Sequence, residues 1–248
     1  MNNLEEENRI LKNTLKICCK SLDNNVRIAC AKTGMFCKEL ENDINPLVRR
    51  ALVDNGYGVS KFIDDESWIV REGIALQGYD LNYLAYDEDW RVRRAVAKSD
   101  KFKKCDADTK DYLAFDKSPE VRAEVAKQGI RLNILVDDPS PEVRAEVASR
   151  GYELSKLAGD ESAIVRGRVA EQGKHLNRLV NDLDPSVKLT ARTYGHKHEL
   201  VGKWVTKYNR KVCSVCKSVP EDGVLGIRCK VCYAKIENPN YNYSRKKN

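Results

Sequence analysis

The chain has 248 residues, of which 42% are apolar and 33% are charged, and its net charge is +7. This balance indicates a globular protein with a substantial core and excludes a disordered chain. The first residues, MNNLEEENRI, are acidic, and no segment has the apolar length of a signal peptide or a membrane span. We therefore expect a cytoplasmic protein that does not contact the membrane.

The positive charge is concentrated at the C-terminal end. Residues 201–248 contain eleven Lys or Arg and three Asp or Glu, a net charge of +8, whereas residues 1–200 carry −1. A basic segment on a nearly neutral body indicates an acidic partner such as nucleic acid.

A short motif recurs through the chain, as in VRRALVDNG, VRAEVAKQG and VRGRVAEQG. Successive copies are 22 residues apart, except for one step of 29 that indicates a seven-residue insertion near DKFKKCDAD. The first residues of the eight copies are Val26, Val48, Val70, Val92, Val121, Val143, Val165 and Val187. A fixed period of this length predicts a repeat protein in which neighbouring units complete one another's core.

Each copy carries the signals of a helix followed by a shorter one. Residues that favour the N-cap precede each valine by three positions: Asp23, Asn45, Ser67, Asp89, Ser118, Ser140, Ser162 and Asp184. We expect each of these side chains to accept a hydrogen bond from the first turn. Glycine ends most copies, which predicts a left-handed C-cap at Gly34, Gly56, Gly78, Gly129, Gly151, Gly173 and Gly195. Apolar pairs such as Leu132 with Leu135 then predict a short second helix.

A basic residue follows every repeated valine, from Arg27 to Lys188, and an aspartate recurs five positions before most of the valines. One interpretation is a row of cations that follows phosphates. The other, which we favour, is a structural ladder in which these aspartates neutralise the arginines and leave little field for a polyanion.

The period and the pattern VRxxVAxxG resemble the leucine-rich repeat variant and short HEAT-like α-solenoids over residues 22–201, after an N-terminal helix in residues 1–21. The resemblance implies an all-α solenoid of about eight two-helix repeats, curved into a right-handed stack that serves as a binding surface. The leucine-rich repeat variant family includes a member with an iron–sulfur cluster on N-terminal cysteines. Here Cys18, Cys30 and Cys37 occupy positions that other repeats fill with aliphatic residues, so we expect core side chains.

Two adjacent repeats depart from the pattern. Trp68 and Trp90 replace the usual Pro or Ala at the helix start, and the second begins WRVRRAVAKSDKFKKC. The basic residues Arg91, Arg94, Lys98 and Lys101 follow. Two interpretations remain open: a contact surface for a protein partner, or tryptophans that fasten one repeat to the next beside solvated lysines.

The C-terminal segment contains two Cys-x-x-Cys pairs, Cys213 with Cys216 and Cys229 with Cys232. Four thiolates at this spacing predict one structural Zn²⁺ with no open position for catalysis. The segment resembles a treble-clef or zinc-ribbon finger over residues 210–237, within a predicted domain of residues 202–237. Some related fingers are nucleases with a catalytic histidine, but no histidine lies in or after this finger.

Basic and aromatic residues surround the predicted finger and fill the tail of residues 238–248, which we expect to be disordered. Cations could neutralise phosphates and tyrosines could stack on bases. The candidate nucleic-acid-binding residues are Arg210, Lys211, Lys217, Arg228, Lys230, Lys235, Tyr241, Tyr243, Arg245, Lys246 and Lys247. A solubilising tail on a structural finger is the alternative.

These features favour a non-enzymatic adaptor whose solenoid binds a protein and whose finger and tail bind DNA or RNA. The alternative is a protein–protein scaffold or inhibitor in which zinc is purely structural. Some HEAT-like solenoids are DNA glycosylases, but their repeats are longer and the sequence shows no matching catalytic motif.

Overall fold

A computed structural model describes the backbone of residues 3–197, 204–207 and 210–213, and the side chains of residues 5–194. The chain divides into two compact units, Met1–Arg131 and Leu132–Asn248. None of the helices in the described residues combines the length and the apolar character needed to span a bilayer.

The described part of the first unit is helical and consists of longer helices alternating with short ones or turns. Its α-helices are α1 (Asn3–Cys18), α2 (Asn24–Lys32), α3 (Cys37–Leu40), α4 (Pro46–Asp54), α5 (Trp68–Gln77), α6 (Leu81–Leu84), α7 (Trp90–Lys98), α8 (Ala107–Ala114) and α9 (Pro119–Lys127). The helices α2, α4, α5, α7 and α9 pack in that order, each against the next.

The second unit continues the same alternation. Its helices are α10 (Leu132–Leu135), α11 (Pro141–Ser149), α12 (Leu154–Leu157), α13 (Ala163–Glu171), α14 (Leu176–Leu179) and α15 (Pro185–Lys197). The helices α11, α13 and α15 pack in sequence order. Two strands, β1 (Trp204–Lys207) and β2 (Arg210–Cys213), pair antiparallel with Trp204 opposite Cys213.

The sequence period fixes which side chains form the core of each unit. All repeated valines from Val48 to Val187 are buried, whereas Val26 in the first copy is only half-buried. The short second helices and turns add buried Leu40, Phe62, Leu84, Leu113, Leu135, Leu157 and Leu179, at the same spacing. The prediction of a helical fold with repeat-like packing is confirmed for these residues.

The helix ends confirm part of the capping prediction and correct the rest. Asp23, Asn45, Asp89 and Asp184 accept backbone N–H groups as expected. The four serines occupy the N-cap position, but none of their side chains caps the helix: Ser67, Ser118, Ser140 and Ser162. The predicted glycines have left-handed φ from Gly34 to Gly173. At Gly195 the prediction is wrong, because α15 continues through it.

The insertion lengthens the second helix of its repeat. A 3₁₀ turn at Phe102–Lys104 and the eight-residue α8 take the place of the four-residue helix found in most other repeats. Phe102 and Cys105 are buried, so the added turn carries its own apolar anchor.

Candidate functional site

The arginines after the repeated valines form a ladder of bidentate ion pairs. In Arg71, Nε lies 2.7 Å and Nη2 2.9 Å from the two carboxylate oxygens of Asp87 in the next repeat. Its Nη1 donates to the backbone carbonyl of Asp65 at 2.7 Å. The pairs of this arginine ladder include Arg27–Asp43, Arg49–Asp65, Arg71–Asp87, Arg93–Asp116, Arg144–Asp160 and Arg166–Asp182. The structural interpretation of these residues is confirmed.

The ladder pairs are buried or half-buried, and this sets their electrostatics. Hydrogen bonds from Arg166 hold the pKa of Asp182 below its ordinary value, although burial acts in the opposite direction. The same bond raises the pKa of the Arg166 guanidinium. Both groups are therefore charged at neutral pH, and each is already neutralised by the other.

Trp68 and Trp90 lie at the first turns of α5 and α7, and both are half-buried. The guanidinium carbon of Arg91 lies 4.5 Å from the ring centroid of Trp68 and 5.3 Å from that of Trp90. Nη1 of Arg91 is also 3.0 Å from Oδ2 of Asp89. The structure thus brings the two tryptophans and Arg91 into one cation–π cluster that joins adjacent repeats.

The other basic residues predicted for this region lie on α7 or just after it. Lys98 and Lys101 are exposed, and Nζ of Lys101 lies 4.9 Å from the ring centroid of Tyr79. Arg94 is exposed and its Nη2 is 3.3 Å from Oε1 of Glu124 on α9. We call Trp68, Trp90, Arg91, Arg94, Lys98 and Lys101 the tryptophan surface, and its role in partner binding stays a prediction.

The N-terminal cysteines differ in burial. Cys19 and Cys30 are buried, whereas Cys18 and Cys37 are half-buried. Of the three cysteines expected in the core, Cys18, Cys30 and Cys37, only Cys30 is fully buried. Burial raises the pKa of the Cys19 thiol to about 11, and the neighbouring Cys30 adds to the shift. Within the residues that the structure describes, no three His, Cys, Asp or Glu groups converge to hold a metal ion.

The predicted zinc and nucleic-acid residues lie outside the described side chains. The backbone of Arg210, Lys211 and Cys213 belongs to β2, and the first predicted zinc ligand, Cys213, is the last residue of that strand. The remaining residues of these two predictions lie outside the described backbone as well: Cys216, Lys217, Arg228, Cys229, Lys230, Cys232, Lys235, Tyr241, Tyr243, Arg245, Lys246 and Lys247.

Four exposed aromatic side chains form a further surface that the sequence analysis did not single out. They are Tyr83 and Tyr86, at the end of α6, with Tyr112 and Phe115, at the end of α8. The signal was present in the sequence, because YLAYD in residues 83–87 and YLAFD in residues 112–116 place the rings at identical positions before a ladder aspartate.

Comparison with solved structures finds related architecture. A leucine-rich repeat variant with a novel repetitive structural motif has a TM-score of 0.55 and 25% sequence identity, over 75% of this chain and 82% of that chain. The Escherichia coli protein YibA has a TM-score of 0.44 and 19% identity, over 77% of this chain and 86% of that chain. No family model matches the chain. No curated protein matches it. The first of these structures supports the helical repeat fold.

Proposed function

We propose that the chain is a non-enzymatic binding adaptor. In this proposal the helical repeats hold a protein partner on the tryptophan surface. A zinc finger formed by Cys213, Cys216, Cys229 and Cys232, with the basic tail of residues 238–248, contacts DNA or RNA.

One observation carries the protein-binding part. The ladder arginines are tied to aspartates, whereas the basic residues of the tryptophan surface lie outside the ladder and reach solvent. The side chains of Arg91 and Arg94 are 42% and 44% exposed, and Lys98 and Lys101 are exposed as well. Aromatic and arginine side chains that reach solvent in the free protein and are buried by a partner are frequent anchors of protein–protein contacts.

We assign protein binding to the repeats and nucleic-acid binding to the C-terminal segment according to where positive charge is not neutralised by acidic residues. Because the ladder neutralises its own charges, it does not favour a polyanion along the repeats. The C-terminal segment, with its net charge of +8 and its two Cys-x-x-Cys pairs, has the composition expected of a nucleic-acid-binding module.

Affinity capture from the native host, with and without nuclease, tests both parts together. The adaptor proposal predicts that part of the captured material is lost after nuclease treatment while a protein partner is retained. If nuclease changes nothing, the scaffold alternative is favoured and the nucleic-acid part fails.

A double substitution then tests the tryptophan surface. Trp68→Ala with Trp90→Ala is expected to weaken capture of the retained partner by the folded protein, beyond the fall in melting temperature that follows from losing the cation–π cluster. Ile164→Ala, which removes an exposed apolar side chain of α13, is the control and should leave capture unchanged. A large fall in melting temperature for the tryptophan variant, with unchanged capture by the folded fraction, would support the fastening interpretation instead.

A further inference from the structure

Four aromatic residues of the first unit are between 45% and 69% exposed: Tyr83, Tyr86, Tyr112 and Phe115. Tyr86 and Tyr112 belong to adjacent repeats and contact each other, with ring centroids 4.4 Å apart and planes tilted by 44°. Four large aromatic side chains grouped on one surface are unusual unless the surface binds something.

The repeat architecture does not require these rings. In other repeats the same two positions, four residues and one residue before the ladder aspartate, are filled mostly by polar residues. These pairs are Glu39 with Asn42, Lys61 with Asp64, Ile134 with Asp137, Lys156 with Gly159 and Arg178 with Asn181. Those repeats bury the equivalent leucine or phenylalanine, and ladder pairs form at Asp43, Asp65, Asp160 and Asp182. The aromatic residues therefore call for an explanation other than folding.

The rings frame two adjoining grooves, which we call the aromatic grooves. The first has a volume of about 540 Å³ and is lined by Tyr83, Tyr86 and Asp64 among others. The second has a volume of about 560 Å³ and is lined by Tyr86, Tyr112 and Phe115 among others. Both share Asp87 and Glu88 as well as Tyr86, so one extended ligand can pass from one groove to the other.

The charged residues of the grooves favour a cation. Arg71 and Arg93 line them but are held by Asp87 and Asp116 in the ladder. Asp64 and Asp111 remain as further carboxylates, the first accepting the Tyr83 hydroxyl at 2.6 Å and the second pairing with Arg131.

Glu88 is a highly exposed acid of both grooves. It lies 3.5 Å from Arg71, and 89% of its side chain is exposed. Lys117 lines the second groove only. Once the ladder pairs and the Asp111–Arg131 pair are set aside, Asp64 and Glu88 leave a small excess of negative charge over Lys117. This excess favours a positively charged peptide over a phosphate backbone.

Elsewhere in the protein, aromatic rings and a neighbouring carboxylate already hold a guanidinium group. The Arg91 guanidinium lies over two aromatic rings while it contacts the carboxylate of Asp89. The aromatic grooves offer the same pair of groups, a ring face and an adjacent acid, to an incoming side chain. Arginine fits this arrangement better than lysine because its planar guanidinium stacks on rings and pairs with carboxylates.

We propose that the aromatic grooves bind an extended, arginine-containing peptide segment of a partner protein. The arginine side chains lie against Tyr83, Tyr86, Tyr112 and Phe115, and Glu88 pairs with one guanidinium. This site is independent of the proposed adaptor function, because it uses neither the tryptophan surface nor the C-terminal segment.

Fluorescence polarisation with the full-length protein tests the proposal. The probe is a fluorescein-labelled peptide of alternating arginine and glycine, compared with the same peptide carrying glutamate in place of arginine. We expect the arginine peptide to bind and the glutamate peptide not to bind. Tyr86→Ala should weaken binding of the arginine peptide by about tenfold, and Glu88→Gln by about threefold.

Matched control variants test whether a loss of peptide affinity is specific to the aromatic grooves. Tyr86→Phe keeps the ring and should retain most of the affinity. Tyr79→Ala removes a tyrosine of similar exposure outside the grooves, and Glu161→Gln removes a glutamate that is 88% exposed and contacts a ladder arginine in a repeat without the rings. Both should bind like the unchanged protein.

Three results would overturn the proposal. The first is equal affinity of the Tyr86→Ala variant and the unchanged protein for the arginine peptide. The second is an equal loss of affinity in the Glu161→Gln control. The third is binding of a single-stranded oligonucleotide that falls in Tyr86→Ala by the same factor as peptide binding, which would assign the grooves to nucleic acid.

Discussion

Arg144 illustrates how many contacts a single ladder arginine makes. Its Nε and Nη2 bind both carboxylate oxygens of Asp160, at 2.7 and 2.9 Å, and its Nη1 donates to the backbone carbonyl of Asp138 at 2.7 Å. Asp160 also accepts the backbone N–H of Ser162, so it ties the start of the next helix to the same network. Removing the arginine would leave this poorly exposed carboxylate with the Ser162 N–H but without its bidentate guanidinium partner.

Arg144→Ala is therefore expected to lower the free energy of unfolding by about 3–5 kcal/mol, because the Asp160 carboxylate, which is only 7% exposed, loses its bidentate partner. Arg168→Ala, which breaks only an exposed pair with Glu171 one helical turn away, should cost less than about 1 kcal/mol. Urea denaturation of both variants measures the difference. Equal losses would show that the ladder contributes no more than a surface ion pair.

The ladder also predicts how stability depends on pH. Burial alone would raise the pKa of Asp160, but hydrogen bonds from Arg144 and Ser162 outweigh it and hold that pKa below its ordinary value. Since the pKa is lower in the folded state, the stabilisation is complete above the unfolded pKa of about 4 and is lost as pH falls through the folded value.

Asp160→Asn should consequently be less stable than the unchanged protein at neutral pH, and the gap should narrow below about pH 4. Urea denaturation at a series of pH values checks this. A gap that stays constant on acidification would contradict the assignment of a depressed pKa to Asp160.

The N-cap residue types predict where the long helices begin, but they do not predict which side chains form a capping hydrogen bond. All eight predicted N-cap residues precede a helix, yet only the Asp and Asn side chains accept a backbone N–H. The hydroxyls of Ser118 and Ser140 instead donate to Glu120 and Glu142 at 2.6 Å. A hydroxyl can donate as well as accept, and a bond to a carboxylate is stronger than one to a neutral group.

Two cap substitutions in the first unit should therefore differ. Asn45→Ala removes a real cap, with Oδ1 2.8 Å from the N–H of Leu47, and should cost about 1 kcal/mol. Ser67→Ala removes a hydroxyl that makes no cap bond, and should cost a few tenths of that. Thermal unfolding of the two variants provides the comparison, and equal shifts in melting temperature would contradict the capping geometry.

The sequence period predicted the long helices, most of the short ones and the ladder, because each depends on residue types that recur every 22 positions. It did not predict the left-handed backbone of Asp80, Glu153 and His175, which directly precede short helices. Packing of the repeat imposes that conformation on residues without a glycine's freedom. Inter-repeat bonds such as Gln77 to the Val53 carbonyl were also missed, since an amide has no preferred partner in sequence.

Comparison of equivalent positions between repeats identified the tryptophan surface but missed the aromatic grooves. Trp68 and Trp90 were recognised because they replace Pro or Ala at a helix start, whereas Tyr86 and Phe115 stand at the end of short helices and were overlooked. Their exposure and the grooves between them became visible only in three dimensions. The first unit therefore presents two distinct surfaces, the basic tryptophan surface and the aromatic grooves.

The predicted zinc site can be tested in the whole protein. Native mass measurement should find one Zn²⁺ per chain, because the two Cys-x-x-Cys pairs supply a complete set of four thiolates. Cys229→Ser should release the metal and leave most of the helical circular-dichroism signal intact. Cys105→Ser, at a buried cysteine of the first unit, should retain it. Zinc retained in Cys229→Ser would contradict the four-ligand assignment.

The adaptor proposal depends most on nucleic-acid binding by the C-terminal segment, and the salt dependence of affinity measures this directly. If the finger and tail neutralise about five phosphates, the logarithm of affinity should fall with the logarithm of salt concentration at a slope of roughly −3.5 to −4.5. Deleting residues 238–248 removes Arg245, Lys246 and Lys247, and should flatten the slope by up to about three units without disturbing the helical repeats. Full-length protein that retains neither DNA nor RNA at low ionic strength would contradict the account.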